Sequence, residues 1–88
     1  MEILLDGNLI LNKESLFKTL KEQISSDEFY GNSLDALWDV LSYGIDSLVV
    51  TIKNRKELEI NLGDYFNKLI DLFEELNNKN VVVTFETN

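Results

Sequence analysis

Short runs of apolar residues predict three β-strands, at residues 2–6, 48–52 and 81–85. The middle run, Leu-Val-Val-Thr-Ile, is the strongest because it is short, rich in β-branched residues and apolar at both alternating positions. Such a run favours a parallel strand in a sheet that is covered on both faces. Turn-forming residues follow the first run at 7–8 and precede the last at 77–80.

Apolar residues three and four positions apart predict amphipathic helices between these strands. The first helix is expected to begin at Lys13, after Asn12 as its N-cap residue. Its apolar face consists of Leu16, Phe17, Leu20 and Ile24. The last helix, which Asp64 opens or caps, is expected to run to about Leu76.

Residues 54–62 carry a weak pattern, with Leu58 and Ile60 as their apolar anchors, so a short helix and irregular structure both stay open for them. The element order is strand, helix, helix, strand, helical region, helix, strand. Helical connections between three strands favour a parallel sheet with right-handed crossovers. We therefore predict one domain over residues 1–88, of the α/β class, with a small three-stranded parallel sheet packed by three or four helices.

A second helix is expected from Leu34 to about Tyr43, after Ser33 as its cap and before Gly44 as its end. Its apolar side consists of Leu34, Leu37, Trp38 and Leu41. Its other side consists of Asp35, Asp39, Ser42 and Tyr43.

Asp35 and Asp39 lie four residues apart, so their carboxylates are neighbours on the helix surface. Asp35 is in the first turn, where the helix dipole favours an acid. Asp39 lies past that turn, is repelled by Asp35, and has no Lys or Arg three or four residues away. Acids on a helix are usually a solvated face, and a tryptophan such as Trp38 is more often a core residue than a binding anchor. A locally unfavourable residue is nevertheless typical of functional sites.

Charge is distributed unevenly along the chain. The net charge is −8, from sixteen acidic and eight basic residues, and no Lys or Arg lies between Glu22 and Ile52. The acids of that stretch are Glu22, Asp27, Glu28, Asp35, Asp39 and Asp46. This balance argues against nucleic acid as a partner, because phosphates need basic side chains, and it favours binding to a basic protein.

The absence of cysteine and histidine excludes disulfides, thiolate metal sites and the usual acid–base catalyst. No run approaches the ~20 apolar residues of a membrane span and no signal pattern opens the chain, so we expect a soluble, cytoplasmic protein that is monomeric when free. Asp35 and Asp39 make at most half a metal site, so we expect neither an enzyme nor a metal or cofactor. A module whose acidic face binds a basic protein remains as the interpretation.

Residues 29–41, Phe-Tyr-Gly-Asn-Ser-Leu-Asp-Ala-Leu-Trp-Asp-Val-Leu, closely resemble the signature of the barstar family, in which Tyr-Gly precedes Leu-Asp-Ala-Leu-Trp-Asp. The Leu-Phe-Glu-Glu segment at 72–75 and the element order are also similar to that family. The resemblance implies a three-stranded parallel sheet packed by helices. It also implies an inhibitor that plugs the active site of a basic, secreted microbial ribonuclease inside the cell that makes it, or an immunity protein against a different basic toxin.

The resemblance further implies roles for individual residues. Asp39 would enter the phosphate site of the ribonuclease and mimic an RNA phosphate. Asp35 would be a second contact for basic side chains, and Glu75 would pair with an arginine of the enzyme. The remaining contact surface would consist of Phe29, Tyr30, Gly31, Ser33, Leu34, Trp38, Ser42, Tyr43 and Gly44.

Two positions and one segment depart from the family pattern. Phe29 stands where the family has a tyrosine, and Ser33 stands where it has an asparagine. The segment 42–44, Ser-Tyr-Gly, replaces a frequent Thr-Gly-Trp. These departures bear on which ribonuclease is bound more than on the class of partner.

Overall fold

The computed structural model describes residues 1–79 and 81–87. The helices and strands in that part of the chain are β1 (Glu2–Asp6), α1 (Lys13–Gln23), α2 (Leu34–Ser42), β2 (Ser47–Lys53), α3 (Arg55–Leu62), α4 (Asp64–Asn77) and β3 (Val82–Thr87). The predicted strands and helices are all present, with small shifts at their ends. The turn predicted at 77–80 finishes on Asn80, which lies outside the described residues.

The three strands form one parallel sheet in the order β1-β2-β3. Leu4 of β1 is paired with Thr51 of β2, and Thr51 is paired in turn with Glu86 of β3. The predicted α/β class and parallel sheet are confirmed, with α1 and α2 connecting the first two strands and α3 and α4 connecting the last two.

One face of this sheet packs against the core and the other stays partly open. Along β2, Leu48, Val50 and Ile52 are fully buried, whereas Val49 and Thr51 between them are partly exposed. Both connections step in the same direction across the sheet, and right-handed connections of that kind place their helices on the same face. The expectation that both faces would be covered was therefore wrong.

The outer edge of β1 is closed by a side chain from α1. The backbone N–H of Leu4 donates to Oε1 of Gln23 at 2.7 Å, and Nε2 of Gln23 donates to the carbonyl of Leu4 at 2.8 Å. The amide thus occupies the N–H and the carbonyl of Leu4, two of the groups that this edge strand would otherwise offer to another chain. Helix α1 begins as predicted, with the N–H of Ser15 donating to Oδ1 of Asn12 at 2.8 Å.

The ambiguous residues 54–62 contain helix α3. Its start is set by Asn54, which has φ of +52° and donates from Nδ2 to Oδ1 of Asp6 at 2.8 Å. This hydrogen bond is the main cause that lowers the pKa of Asp6 below its ordinary value. Leu58 is buried as predicted, whereas Ile60 is 75% exposed and is not an anchor.

The core is hydrophobic throughout the described residues, where no polar or charged side chain is buried. Helix α2 joins it through Leu37 and Leu41, both 0% exposed, and lies against α4. This packing fixes the orientation of α2, so its other face is held toward solvent. Among the described residues, no helix is long and apolar enough to cross a membrane.

Candidate protein-binding site

The ends of helix α2 are defined by local backbone chemistry. At its start, the N–H of Ala36 donates to Oγ of Ser33 at 3.1 Å, which confirms Ser33 as the cap. Its last helical residue is Ser42, one residue before the predicted end. Tyr43 is already extended, and Gly44 follows with φ of +87°, a conformation that favours glycine. The chain therefore leaves α2 sharply, and Tyr43 is turned outward with 77% of its surface exposed.

Asp35 and Asp39 lie on the exposed face of α2, as the pattern predicted. Within residues 1–79 and 81–87, neither carboxylate has a basic side chain within 4.0 Å, and Arg55 with Glu59 forms the one ion pair. Two neighbouring carboxylates are thus left free for groups of another molecule. No group of metal-ligating residues is assembled in the same part of the chain.

A groove of about 280 Å³ runs between α2 and α4, and we call it the α2–α4 groove. Its lining residues are Leu34, Asp35, Trp38, Lys68, Asp71, Leu72 and Glu75. Four predicted contact residues meet there, because the packing of α2 on α4 brings Glu75 to the same groove as Asp35. Trp38 is half-buried against the core and presents its remaining surface to this groove, so it is both a core-edge residue and a groove wall.

Lys68 and Asp71 are groove residues that the sequence reasoning did not single out. The sequence nevertheless indicates that they share a face of α4, since positions 68, 71, 72 and 75 follow the spacing of one helix face. What the sequence did not indicate is which part of the polar arc of α4 would lie beside α2.

A second groove, of about 610 Å³, lies on the other side of α2, next to the loop that precedes it, and we call it the α2–loop groove. Its lining residues are Glu28, Tyr30, Asp39, Val40 and Tyr43. Three of these were predicted contacts, whereas Glu28 and Val40 were not. The two tyrosines are 76% and 77% exposed, so their rings are available to another molecule. The predicted acids Asp35 and Asp39 therefore line different grooves.

Phe29 belongs to the core and lines neither groove. It is only 7% exposed, and Nζ of Lys21 lies 5.4 Å from the centre of its ring. The same ammonium group donates to Oδ1 of Asn32 at 2.7 Å, which ties the loop to α1. Phe29 thus anchors the loop in this free structure. Gly31, Ser33, Ser42 and Gly44 also line neither groove, and they lie where the chain enters or leaves α2.

The two grooves offer carboxylates beside aromatic rings, an arrangement suited to cationic side chains. The family model described as Barstar (barnase inhibitor) matches residues 1–86 of the chain. The YrdF protein of Bacillus subtilis (strain 168), whose name describes it as a proposed ribonuclease inhibitor, is 33% identical over 75 residues, which cover 84% of this chain and 82% of that protein.

Proposed function

This chain belongs to the barstar family of barnase inhibitors, and we propose that it blocks the active site of a basic ribonuclease with helix α2 and the two grooves beside it. Members of the family are inhibitors and not enzymes, and they bind ribonucleases such as barnase. The chain is therefore a ribonuclease inhibitor of this family. The residues that make the contact, and the way in which they act, are the subject of the proposal.

Asp39 carries the proposal. Asp39 is exposed on a helix held in place by the core, has no basic side chain within 4.0 Å among the described residues, and lines the α2–loop groove together with two exposed tyrosines. A free anion there is locally unfavourable in the isolated protein and becomes favourable when a cation meets it. We infer that Asp39 occupies the phosphate site of the ribonuclease and mimics an RNA phosphate.

The α2–α4 groove provides the second part of the interface. Asp35 and Glu75 line it from two different helices, with Trp38 beside them. A guanidinium group can bridge carboxylates and lie against an aromatic ring at the same time. Binding in this groove would thus fix the orientation of the inhibitor on its partner while Asp39 fills the active site.

The charge of the whole chain supports fast association with a basic enzyme. The net charge is −8, and the stretch without Lys or Arg contains both Asp35 and Asp39. A field of one sign over the binding face steers a partner of opposite charge, and added salt weakens this steering. On the analogy of the family, we place the chain in the cytoplasm, as a monomer when free, where it would protect the cell that makes the ribonuclease.

The test is a titration of the chain into a panel of basic microbial ribonucleases that includes barnase, with RNA cleavage as the readout. We expect cleavage of at least one of them to stop at a one-to-one ratio, with a dependence on salt concentration. Asp39→Ala should remove this inhibition. Asp27→Ala, which changes an exposed acid that lines neither groove, should leave it intact. Undiminished cleavage across the panel at excess inhibitor would contradict the proposal.

A second candidate is an immunity or regulatory module that binds a different basic protein. It is favoured by one observation, the exposed Tyr43 in the α2–loop groove, where the segment 42–44 departs from the family pattern. That ring changes the shape of the groove beside Asp39. Binding to a basic toxin without nuclease activity, combined with failure of the titration above, would favour this candidate.

A further inference from the structure

We propose that Glu28 is a second acidic contact in the α2–loop groove and a specificity-determining residue, which together with Asp39 holds an arginine side chain of the partner. This inference rests on the proposed function and deepens it, because it names a contact residue and the chemistry of the group that it receives.

The position of Glu28 is set by the burial of its neighbour. Phe29 is 7% exposed and packs in the core, so the residues on either side of it, Glu28 and Tyr30, are turned to solvent. Backbone hydrogen bonds hold this arrangement. The N–H of Glu28 donates to Oγ of Ser26 at 3.2 Å, and the N–H of Tyr30 donates to the carbonyl of Glu28 at 3.0 Å. The backbone of Glu28 is therefore held in a defined place before any partner binds, which lowers the cost of ordering the loop on association.

The groove formed in this way fits a planar cation. Carboxylates from the loop and from α2, Glu28 and Asp39, line the same space of about 610 Å³, which two exposed tyrosine rings and the side chain of Val40 also line. A guanidinium group donates five N–H bonds in its plane and stacks on aromatic rings through its faces. A lysine ammonium would use the charge of the groove but not its flat aromatic surfaces. Arginine is thus the side chain that uses all the groups present.

Asp27 provides a matched comparison because it adjoins Glu28 in the sequence. Both are exposed acids of the same loop, and only Glu28 lines the groove. Neutralising either one changes the net charge of the chain by the same amount. A difference between the two substitutions therefore reports contact in the groove and not the overall field.

The experiment measures the affinity of barnase, as the probe, for the full chain and for Glu28→Gln, Asp27→Asn and Asp39→Asn. We expect Glu28→Gln to weaken binding by about fivefold, in the range of a partly exposed ion pair, and Asp27→Asn to weaken it less than twofold. The double variant Glu28→Gln/Asp39→Asn is measured as well. If Glu28 and Asp39 hold the same cation, its loss of affinity should not equal the sum of the losses in the two single variants. Thermal unfolding confirms that each variant is folded, since both positions are exposed.

Equal losses from Glu28→Gln and Asp27→Asn, or additive losses from Glu28→Gln and Asp39→Asn, would overturn the inference while leaving the proposed function intact. A wild-type chain that binds barnase but loses no affinity on Asp39→Asn would instead contradict the proposed mechanism, and the inference would fall with it. A wild-type chain that does not bind barnase at all would overturn the inference, whereas the proposed function would still stand on inhibition of another ribonuclease of the panel.

Discussion

The two grooves beside α2 share that helix and differ in nearly everything else. The α2–α4 groove is built from two helices, encloses about 280 Å³, and contains the base Lys68 among its acids. The α2–loop groove is built from one helix and a loop, encloses about 610 Å³, and is lined by acids, tyrosines and a valine with no base. One helix thus presents two acids, Asp35 and Asp39, in two different electrostatic settings.

Because the two grooves differ in charge, we expect them to contribute to binding in different ways. Among the described residues, no base lines the α2–loop groove, so a partner's cation meets its carboxylates without a lysine in the same lining. Lys68 lines the α2–α4 groove together with its acids, and we expect an entering cation to gain less there. We therefore expect the α2–loop groove to contribute most of the affinity and the α2–α4 groove to contribute mainly orientation and selectivity.

The largest expected effect comes from Asp39→Ala. We expect the affinity for an inhibited ribonuclease to fall at least about 100-fold, because removing one member of a desolvated ion pair leaves the other charge buried without a partner. The measurement is the inhibition constant in an RNA-cleavage assay. Asp46→Ala, another exposed acid from the same base-free stretch, is the control. If Asp39→Ala lost no more affinity than Asp46→Ala, the α2–loop groove would not be the main source of affinity.

A smaller loss is expected from Asp35→Ala, which changes the other groove. We expect affinity to fall about tenfold, because Lys68 offsets part of the charge there and rim contacts contribute less than central ones. The free energy of unfolding should change little, since the lost interaction of Asp35 with the helix dipole is offset by relief of its repulsion with Asp39 and by the higher helix propensity of alanine. Chemical denaturation measures the free energy of unfolding. A loss of affinity above that of Asp39→Ala would reverse the ranking of the grooves.

Phe29→Leu tests whether the loop side of the α2–loop groove depends on its buried anchor. We expect the free energy of unfolding to fall by about 1 kcal/mol through lost packing, and the affinity to fall about fivefold because Glu28 and Tyr30 lose their fixed positions. Phe17→Leu, at a core position of α1 that packs edge-on against Tyr65, should destabilise the chain similarly without changing affinity. Equal affinities for both variants would contradict an anchoring role.

The smallest effect is expected from Lys68→Gln, which makes the two grooves more alike. We expect the association rate with a basic ribonuclease to rise about twofold at low salt, and the gain to disappear at high salt, where such charges are screened. Stopped-flow kinetics at two salt concentrations measures it. Lys18→Gln changes the net charge equally at an exposed position that lines neither groove. A decrease in rate for Lys68→Gln would show that the partner supplies an acid to Lys68.

Most of the fold followed from local pattern. Asn12 and Ser33 were identified as caps because a cap needs only a side chain within reach of the next few N–H groups. The weak segment at 54–62 was left undecided, because α3 begins at Asn54 in a left-handed conformation supported by Asp6, a residue 48 positions away. A prediction from neighbouring residues alone does not include Asp6.

At the candidate site, the sequence by itself determined which acids lie on α2 and that they share its exposed face. Helical periodicity places Asp35 and Asp39 opposite Leu37 and Leu41, and hydrophobic burial of the latter is enough to expose the former. The absence of bases between Glu22 and Ile52 likewise follows from composition alone. These properties depend only on residues that are close together in the sequence.

Only the tertiary structure decided which residues lie beside those acids. The packing of α2 on α4 brings Glu75 and Lys68 to Asp35, and the burial of Phe29 brings Glu28 and Tyr30 to Asp39. Such groupings depend on which faces of distant elements meet in the core, and periodicity specifies a face without specifying its neighbour. The division of one acidic helix between two unlike grooves is therefore a property of the packed protein and not of the helix sequence.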